Sequence, residues 1–269
     1  MQDDPGSLIR HTALAVCLTV GAAGLAHAQS PAPTPDSAGF LPRSEFHLGA
    51  NSLTFATEDE RFSWDAYFGG ALDIFDYVKG RASILADYHP VLGSEYRPFD
   101  PNQAYYALEA SGSYRAHDTE LAVVFHHVSR HLSDRPKQGA IAWNVLGGRV
   151  MRRVELLGVT VDGRLDAGAI VQHSFVDYQW AADLDLMIRR AMTSEVGLFA
   201  HGFGELFGVD GSEPERGTQT GGRFEAGVRI NGRGAAIELF AGFERRLDAD
   251  PMERLPKRWA IAGFRLLSK

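Results

Sequence analysis

Histidine and serine two residues apart are the pair in this chain best suited to chemistry. The run Phe125-His126-His127-Val128-Ser129-Arg130-His131-Leu132-Ser133-Asp134 holds three of the ten histidines. A histidine beside a serine can take the hydroxyl proton as general base and turn the oxygen into a nucleophile. If the run is extended, His127, Ser129 and His131 share parity and stand in a row on one face. A shared metal ion does not suit this row. His127 and His131 would lie roughly 13 Å apart at the usual strand rise, beyond the reach of one ion. Farther along, Asp248, Asp250 and Glu253 are oxygen donors of the kind calcium takes, but their spacing reads better as a solvated acidic loop.

The elements that must position the row are strands. From Val159 to Val171, Val159, Val161, Leu165, Ala167, Ala169 and Val171 alternate with Thr160, Asp162, Arg164 and Asp166, and the polar set continues to Gln172. Side chains in a strand point alternately to opposite faces, so this segment has one apolar and one charged face. Tyr178 to Ile188, Phe224 to Ile230 and Ala235 to Phe243 repeat the pattern. Twelve candidate strands emerge, at about 45–56, 63–76, 80–89, 103–115, 119–131, 139–151, 157–173, 177–191, 194–208, 219–231, 234–247 and 257–268. Each is close to the 9–11 residues that cross a bilayer at a tilt. No capped amphipathic helix interrupts them.

The N-terminal segment suggests export. Arg10 precedes an apolar run from Thr12 to Ala26, and Ala26-His27-Ala28 has the small-x-small form of a signal-peptidase site. Residues 1–28 are therefore expected to be a signal peptide and 29–43, rich in proline, a flexible periplasmic lead-in, with the barrel over 44–269. Cleavage would remove the only cysteine, Cys17, and leave a net charge of −6 after loss of Arg10, Asp3 and Asp4. No internal disulfide or thiolate metal site can then form, and a mildly acidic chain without a basic cluster excludes a nucleic-acid partner.

Connector lengths alternate, save for two short outer connectors near Thr57 and Val176. Tyr77–Lys79, Ala116–Asp118, Met192–Thr193 and Gly232–Arg233 are brief, whereas Pro90–Asn102, Leu132–Gln138, Val209–Thr218 and Asp248–Pro256 are longer. Short periplasmic turns and long outer loops are the habit of outer-membrane barrels. The expected architecture is an all-β, antiparallel transmembrane β-barrel of about twelve strands in the bacterial outer membrane. It would be a monomer in contact with outer-membrane lipid, delivered by periplasmic chaperones and the barrel-assembly machinery, with no cofactor. Trp64, Tyr105, Trp143, Tyr178 and Trp259, near strand ends, would form the interfacial girdles. Asp162, Arg164, Asp166, Asp183, Asp185, Arg189, Arg223, Glu225, Arg229 and Glu238 are expected in the lumen, as a packed ion-pair plug or as an ion path.

Within that frame, His127-Val128-Ser129 resembles the His-x-Ser of outer-membrane phospholipase A and of lipid A deacylases. Those barrels carry an active site on the outer surface near the outer leaflet. The resemblance implies His127 as base and Ser129 as nucleophile. The chain departs from both families after the serine, where Arg130 and His131 replace Asn and a nearby glycine. Their third, orienting residue lies about a dozen positions on. Ile141 stands near that position here, and Asn144, the nearest polar side chain, has the opposite parity. His127, Ser129, His131, Leu132 and Asp134 also resemble a run in uncharacterised exported barrel proteins. That likeness implies the fold and no activity. Two functions follow as expectations: a non-enzymatic barrel serving as narrow pore or structural surface protein, and an outer-leaflet lipid or acyl-ester hydrolase.

Overall fold

A computed structural model describes residues 31–54, 59–133 and 139–268. Twelve strands follow one another: β1 Gly39–Thr54, β2 Trp64–Asp76, β3 Arg81–Gly93, β4 Asp100–Ala116, β5 Thr119–Leu132, β6 Ile141–Leu156, β7 Val159–Ser174, β8 Tyr178–Ala191, β9 Val196–Val209, β10 Gln219–Asn231, β11 Ala235–Asp250 and β12 Leu255–Ser268. Each pairs antiparallel with its sequence neighbour, and β1 closes the barrel against β12 with Ala50 opposite Phe264. Closure leaves no strand edge unpaired. The candidate signal peptide lies outside the described residues. Strand β1 begins inside the expected lead-in, at Gly39.

Two-residue alternation dictates the two faces. Leu121, Val123 and Phe125 of β5, Leu165 of β7, Leu184 and Ile188 of β8, and Leu239 and Phe243 of β11 all point outward and are exposed. Their strand neighbours Glu120, Asp162, Asp185 and Glu238 point into the lumen. A continuous apolar exterior around a charged interior inverts the arrangement of a protein that folds in water.

All ten charged residues expected in the lumen lie inside the barrel, and each forms an ion pair. Asp162 holds Arg153 and Arg189. Arg164 reaches Asp183 at 2.9 Å, and Asp166 accepts from Arg149 at 2.7 Å. Asp185 faces His201 at 3.0 Å. Arg223 bridges Glu225 and Glu244, Arg265 bridges Glu225 and Glu238, and Arg229 adds a second contact to Glu238. Partnered charges of this kind replace the water each ion loses on burial.

The girdle expectation fails for four of its five aromatics. Trp64 faces out, but Trp143, Tyr178 and Trp259 are buried inside and Tyr105 lines the lumen. For Tyr178 the cause is a register shift between Tyr178 and Trp180, which puts these two residues on opposite faces. Apolar clusters are packed among the ion pairs: Val128, Trp143, Tyr178, Phe207 and Leu247 form one near the barrel end that carries the long connectors, and Leu53, Phe62, Phe199, Phe240, Trp259 and Ile261 belong to another that reaches down to Arg265.

That end is roofed. Strand β11 runs on past Leu247, and Asp248, Ala249 and Asp250 are buried in the mouth. Arg130 donates to the carbonyls of Asp248 at 2.6 Å and Ala249 at 2.9 Å, and Gln103 donates to Ala249 at 2.7 Å. Arg216 and the Tyr178 hydroxyl bind the Asp248 carboxylate, and Arg61 binds Asp250 at 2.8 Å. The acidic run expected as a solvated loop is thus a hydrogen-bonded roof, and Glu253 also faces Arg61. Beside it, hydrogen bonds from Arg61 hold the Asp59 carboxyl well below the usual carboxylate range, with Lys257 adding to the effect.

Candidate active site

Strand β5 carries the His-Ser row on its outward face. Leu121, Val123 and Phe125 lead up to His127, Ser129 and His131 with the same parity, whereas Val124, Val128 and Arg130 point inward. The row therefore lies on the apolar exterior, within the last six residues of β5 at the end bearing the long connectors. The intervening His126 faces the lumen and lies 3.4 Å from Glu109. Asp134, which the motif likeness includes, lies outside the described residues.

Strand β6 supplies the third group. Asn144 stands directly opposite His127 in the β5–β6 register. Its Oδ1 lies 2.6 Å from His127 Nδ1. An amide oxygen can only accept, so this contact requires the proton on Nδ1 and leaves Nε2 as the basic nitrogen. The parity that set Asn144 apart from Ile141 is what brings it here. Ile141 and Trp143 point into the lumen, and Asn144 shares the exterior with His127.

Strand β7 contributes a fourth group through a bulge. Asn144 pairs with Gln172 but Val145 pairs with Ile170, so Val171 is an extra residue. The insertion shifts Gln172 from the lumen parity it shares with Asp162, Arg164 and Asp166 to the exterior. There its Oε1 accepts from Asn144 Nδ2 at 2.9 Å. A bulge that re-aims one side chain beside a polar cluster is a common device at functional sites. The periodicity of the sequence places Gln172 on the wrong face, because nothing in the residue types announces the inserted Val171.

The serine is turned toward its other neighbour. Ser129 Oγ lies 3.1 Å from His131 Nε2. His131 packs edge-on against Tyr106, with centroids 5.0 Å apart and planes at 81°. Tyr106 stands opposite Ser129 in β4, and the aromatic row continues through Tyr88 to Phe68 at centroid spacings of 4.8 and 5.1 Å. The exterior thus presents Ser129 between two histidines, one oriented by Asn144 and Gln172 and the other in contact with the hydroxyl. Among the described residues no group of three His, Cys, Asp or Glu side chains could hold a metal ion.

A closed twelve-stranded antiparallel barrel with an apolar exterior defines the fold class as that of outer-membrane β-barrels. Among solved structures, the chain is similar to LpxR from Salmonella typhimurium, with a TM-score of 0.50 at 9% identity over 83% of this chain and 99% of that one. Outer membrane phospholipase A from Escherichia coli matches with a TM-score of 0.49 at 11% identity, over 86% of this chain and 98% of that one. At these identities the likeness is one of fold. No protein-family model and no curated protein sequence matches the chain. The run from His127 to Leu132 therefore remains a likeness of motif.

Proposed function

We propose that this chain is an acyl-ester hydrolase of the outer membrane that acts on lipid at the outer leaflet. Ser129 is the nucleophile, His127 the general base, and Asn144, held by Gln172, the group that orients the base. The observation that carries this reading is the His127–Asn144 contact on the lipid-facing side of the barrel, two residues from Ser129. Polar side chains on that face are costly in hydrocarbon, and a connected set of them in one place calls for a function.

The chemistry runs through an acyl-enzyme. Ser129 Oγ bonds to the acyl carbonyl carbon as its proton passes to His127 Nε2. The ester carbon–oxygen bond then breaks, and the same proton goes to the departing alcohol. Water, deprotonated by His127, attacks the acyl-serine; the bond from the acyl carbon to Oγ breaks, the imidazolium returns its proton to Ser129 Oγ, and the fatty acid leaves. Asn144 holds the imidazole in the tautomer these steps need and accepts from the imidazolium that forms. For this the serine hydroxyl must turn from His131 to His127. His131 is the hydroxyl's resting partner.

The lumen speaks against the alternative of an open pore. Most of its charges are paired, and the mouth is roofed by the Asp248–Asp250 backbone. The protein works as a monomer in outer-membrane lipid after delivery by periplasmic chaperones and the barrel-assembly machinery.

The test is hydrolysis by purified, detergent-folded protein of phospholipid, lipid A and short-chain esters, with Ser129→Ala alongside. Release of fatty acid by the wild type and its loss in the folded variant are expected. A wild type silent on all three classes would overturn the reading.

A further inference from the structure

Below the roof, on the opposite side of the β5 wall from Ser129, lies a chamber of about 140 Å³. Small residues line one wall. Gly147 and Gly168 face each other across β6 and β7, so close that a Cβ on either would press on the neighbouring strand, and Ala181 of β8 stands opposite Gly168. The chamber compares in size with an engineered cavity of about 150 Å³ that takes up benzene.

Its walls are aromatic on one side and acidic on another. Trp143 meets Tyr178 edge-on with centroids 5.3 Å apart, and Phe207 packs against both at 4.5 and 6.1 Å. Glu205, between Phe203 and Phe207 on the inward face of β9, is 9% exposed. Its Oε1 is buried without a hydrogen-bond partner. Directly opposite in β8 stands Asp183, so two carboxylates are neighbours.

The other charges around the chamber are matched. Arg164 serves Asp183, Arg149 serves Glu109 and Asp166, and Arg246 serves Asp65 and Glu244. Arg130 is committed to the roof carbonyls and Gln103. Glu205 is left as an acid facing space among aromatic rings. A buried acid with a free oxygen takes a hydrogen-bond donor, an ammonium group supplies both the donor and the charge that would let the acid ionise, and aromatic faces attract the same cation.

We propose that the chamber is a binding site for a small organic ammonium ion, about one aromatic ring in size, with its charged nitrogen on Glu205. This site is independent of the hydrolytic one on the exterior. Its distinguishing property is sign: size and apolarity alone would admit a neutral ring as well.

The test is titration of the detergent-folded full chain with benzylamine, toluene and phenylacetate by calorimetry at neutral pH, with empty-micelle blanks. Benzylamine is expected to bind at least tenfold more tightly than either toluene or phenylacetate. Glu205→Gln should remove that preference while toluene binding persists. Ala181→Phe, which fills the chamber and keeps the acid in the sequence, should abolish binding of both rings. Heat-modifiable migration confirms that each variant is folded. Equal affinity for benzylamine and toluene, binding unchanged by Glu205→Gln, or no binding of any probe would each overturn the proposal.

Discussion

The two faces of strand β5 obey opposite rules. Inside, polarity is ordinary: His126 faces Glu109 and Arg130 binds the Asp248 carbonyl, among the other buried polar groups of the lumen. Outside, polarity is an exception: His127, Ser129 and His131 follow three apolar side chains on the same face. Charged residues inside a narrow barrel are what lets it close around a packed interior, so each is weak as a sign of function. A polar cluster on the apolar exterior has no such structural excuse. Position relative to solvent, more than residue type, separates the candidate site from the plug.

Variants on the two sides should therefore fail in different ways. Exterior changes should cost activity and leave the barrel intact, and interior changes should do the reverse. The largest effect belongs to Ser129→Ala, which should lower ester hydrolysis by about 10³-fold or more with unchanged heat-modifiable migration. His127→Ala should cost nearly as much, because the base is lost. His131→Ala should cost less than about tenfold, because the hydroxyl loses only its resting partner. If the two histidines exchange rank in kcat, His131 is the base and the role of Asn144 falls.

Asn144→Ala comes next. A misoriented imidazole costs up to about 10²-fold, and the loss should appear in kcat with KM little changed. Deleting Val171 should reach the same group indirectly. Without the bulge Gln172 returns to the lumen parity, Asn144 loses its 2.9 Å partner, and kcat should fall a few-fold. A full-activity deletion would show that the bulge serves only the sheet.

On the interior, Arg223→Ala should leave hydrolysis near wild type and lower stability. It takes one partner from Glu244, which keeps Arg246, and one from Glu225, which keeps Arg265, so the loss should stay below the roughly 3–5 kcal/mol of a fully broken buried pair. Urea unfolding in detergent measures this. The smallest effect is at the rim. The Asp59 carboxyl is held low by Arg61, so its contribution to stability is present above the ordinary aspartate value near about 3.9 and is lost as pH falls through the lower folded value. Asp59→Asn should lower the melting temperature slightly at pH 7 and merge with wild type in strong acid.

Much of this was legible in the residues. Period-two alternation located all twelve strands, because one face of each belongs to the apolar exterior and the other to a polar interior. Strand β10, at 219–231, falls on the expected residues, and β5 differs by one. The His127 and Ser129 pair was visible as spacing. Which way it points was not, because both faces of that stretch of β5 are apolar: Ala122, Val124 and Val128 alternate with Leu121, Val123 and Phe125. Register resolved it. Asn144 becomes the partner of His127 through the β5–β6 pairing, and Gln172 through a bulge that no pattern of residue types encodes. The inward aromatics were misjudged for a related reason. Trp143 and Tyr178 near strand ends resemble a girdle until the β11 extension fills the mouth and makes that end of the lumen a core.

The central claim is that Ser129 is an activated nucleophile on the lipid-facing side. Covalent labelling by a fluorophosphonate with a long alkyl chain, mapped by mass spectrometry of the folded protein in detergent, tests it most directly. A stoichiometric adduct on Ser129 that disappears in His127→Ala and persists in His131→Ala is the expected result. An unlabelled Ser129 in correctly folded wild-type protein, or labelling that is indifferent to His127, would contradict it.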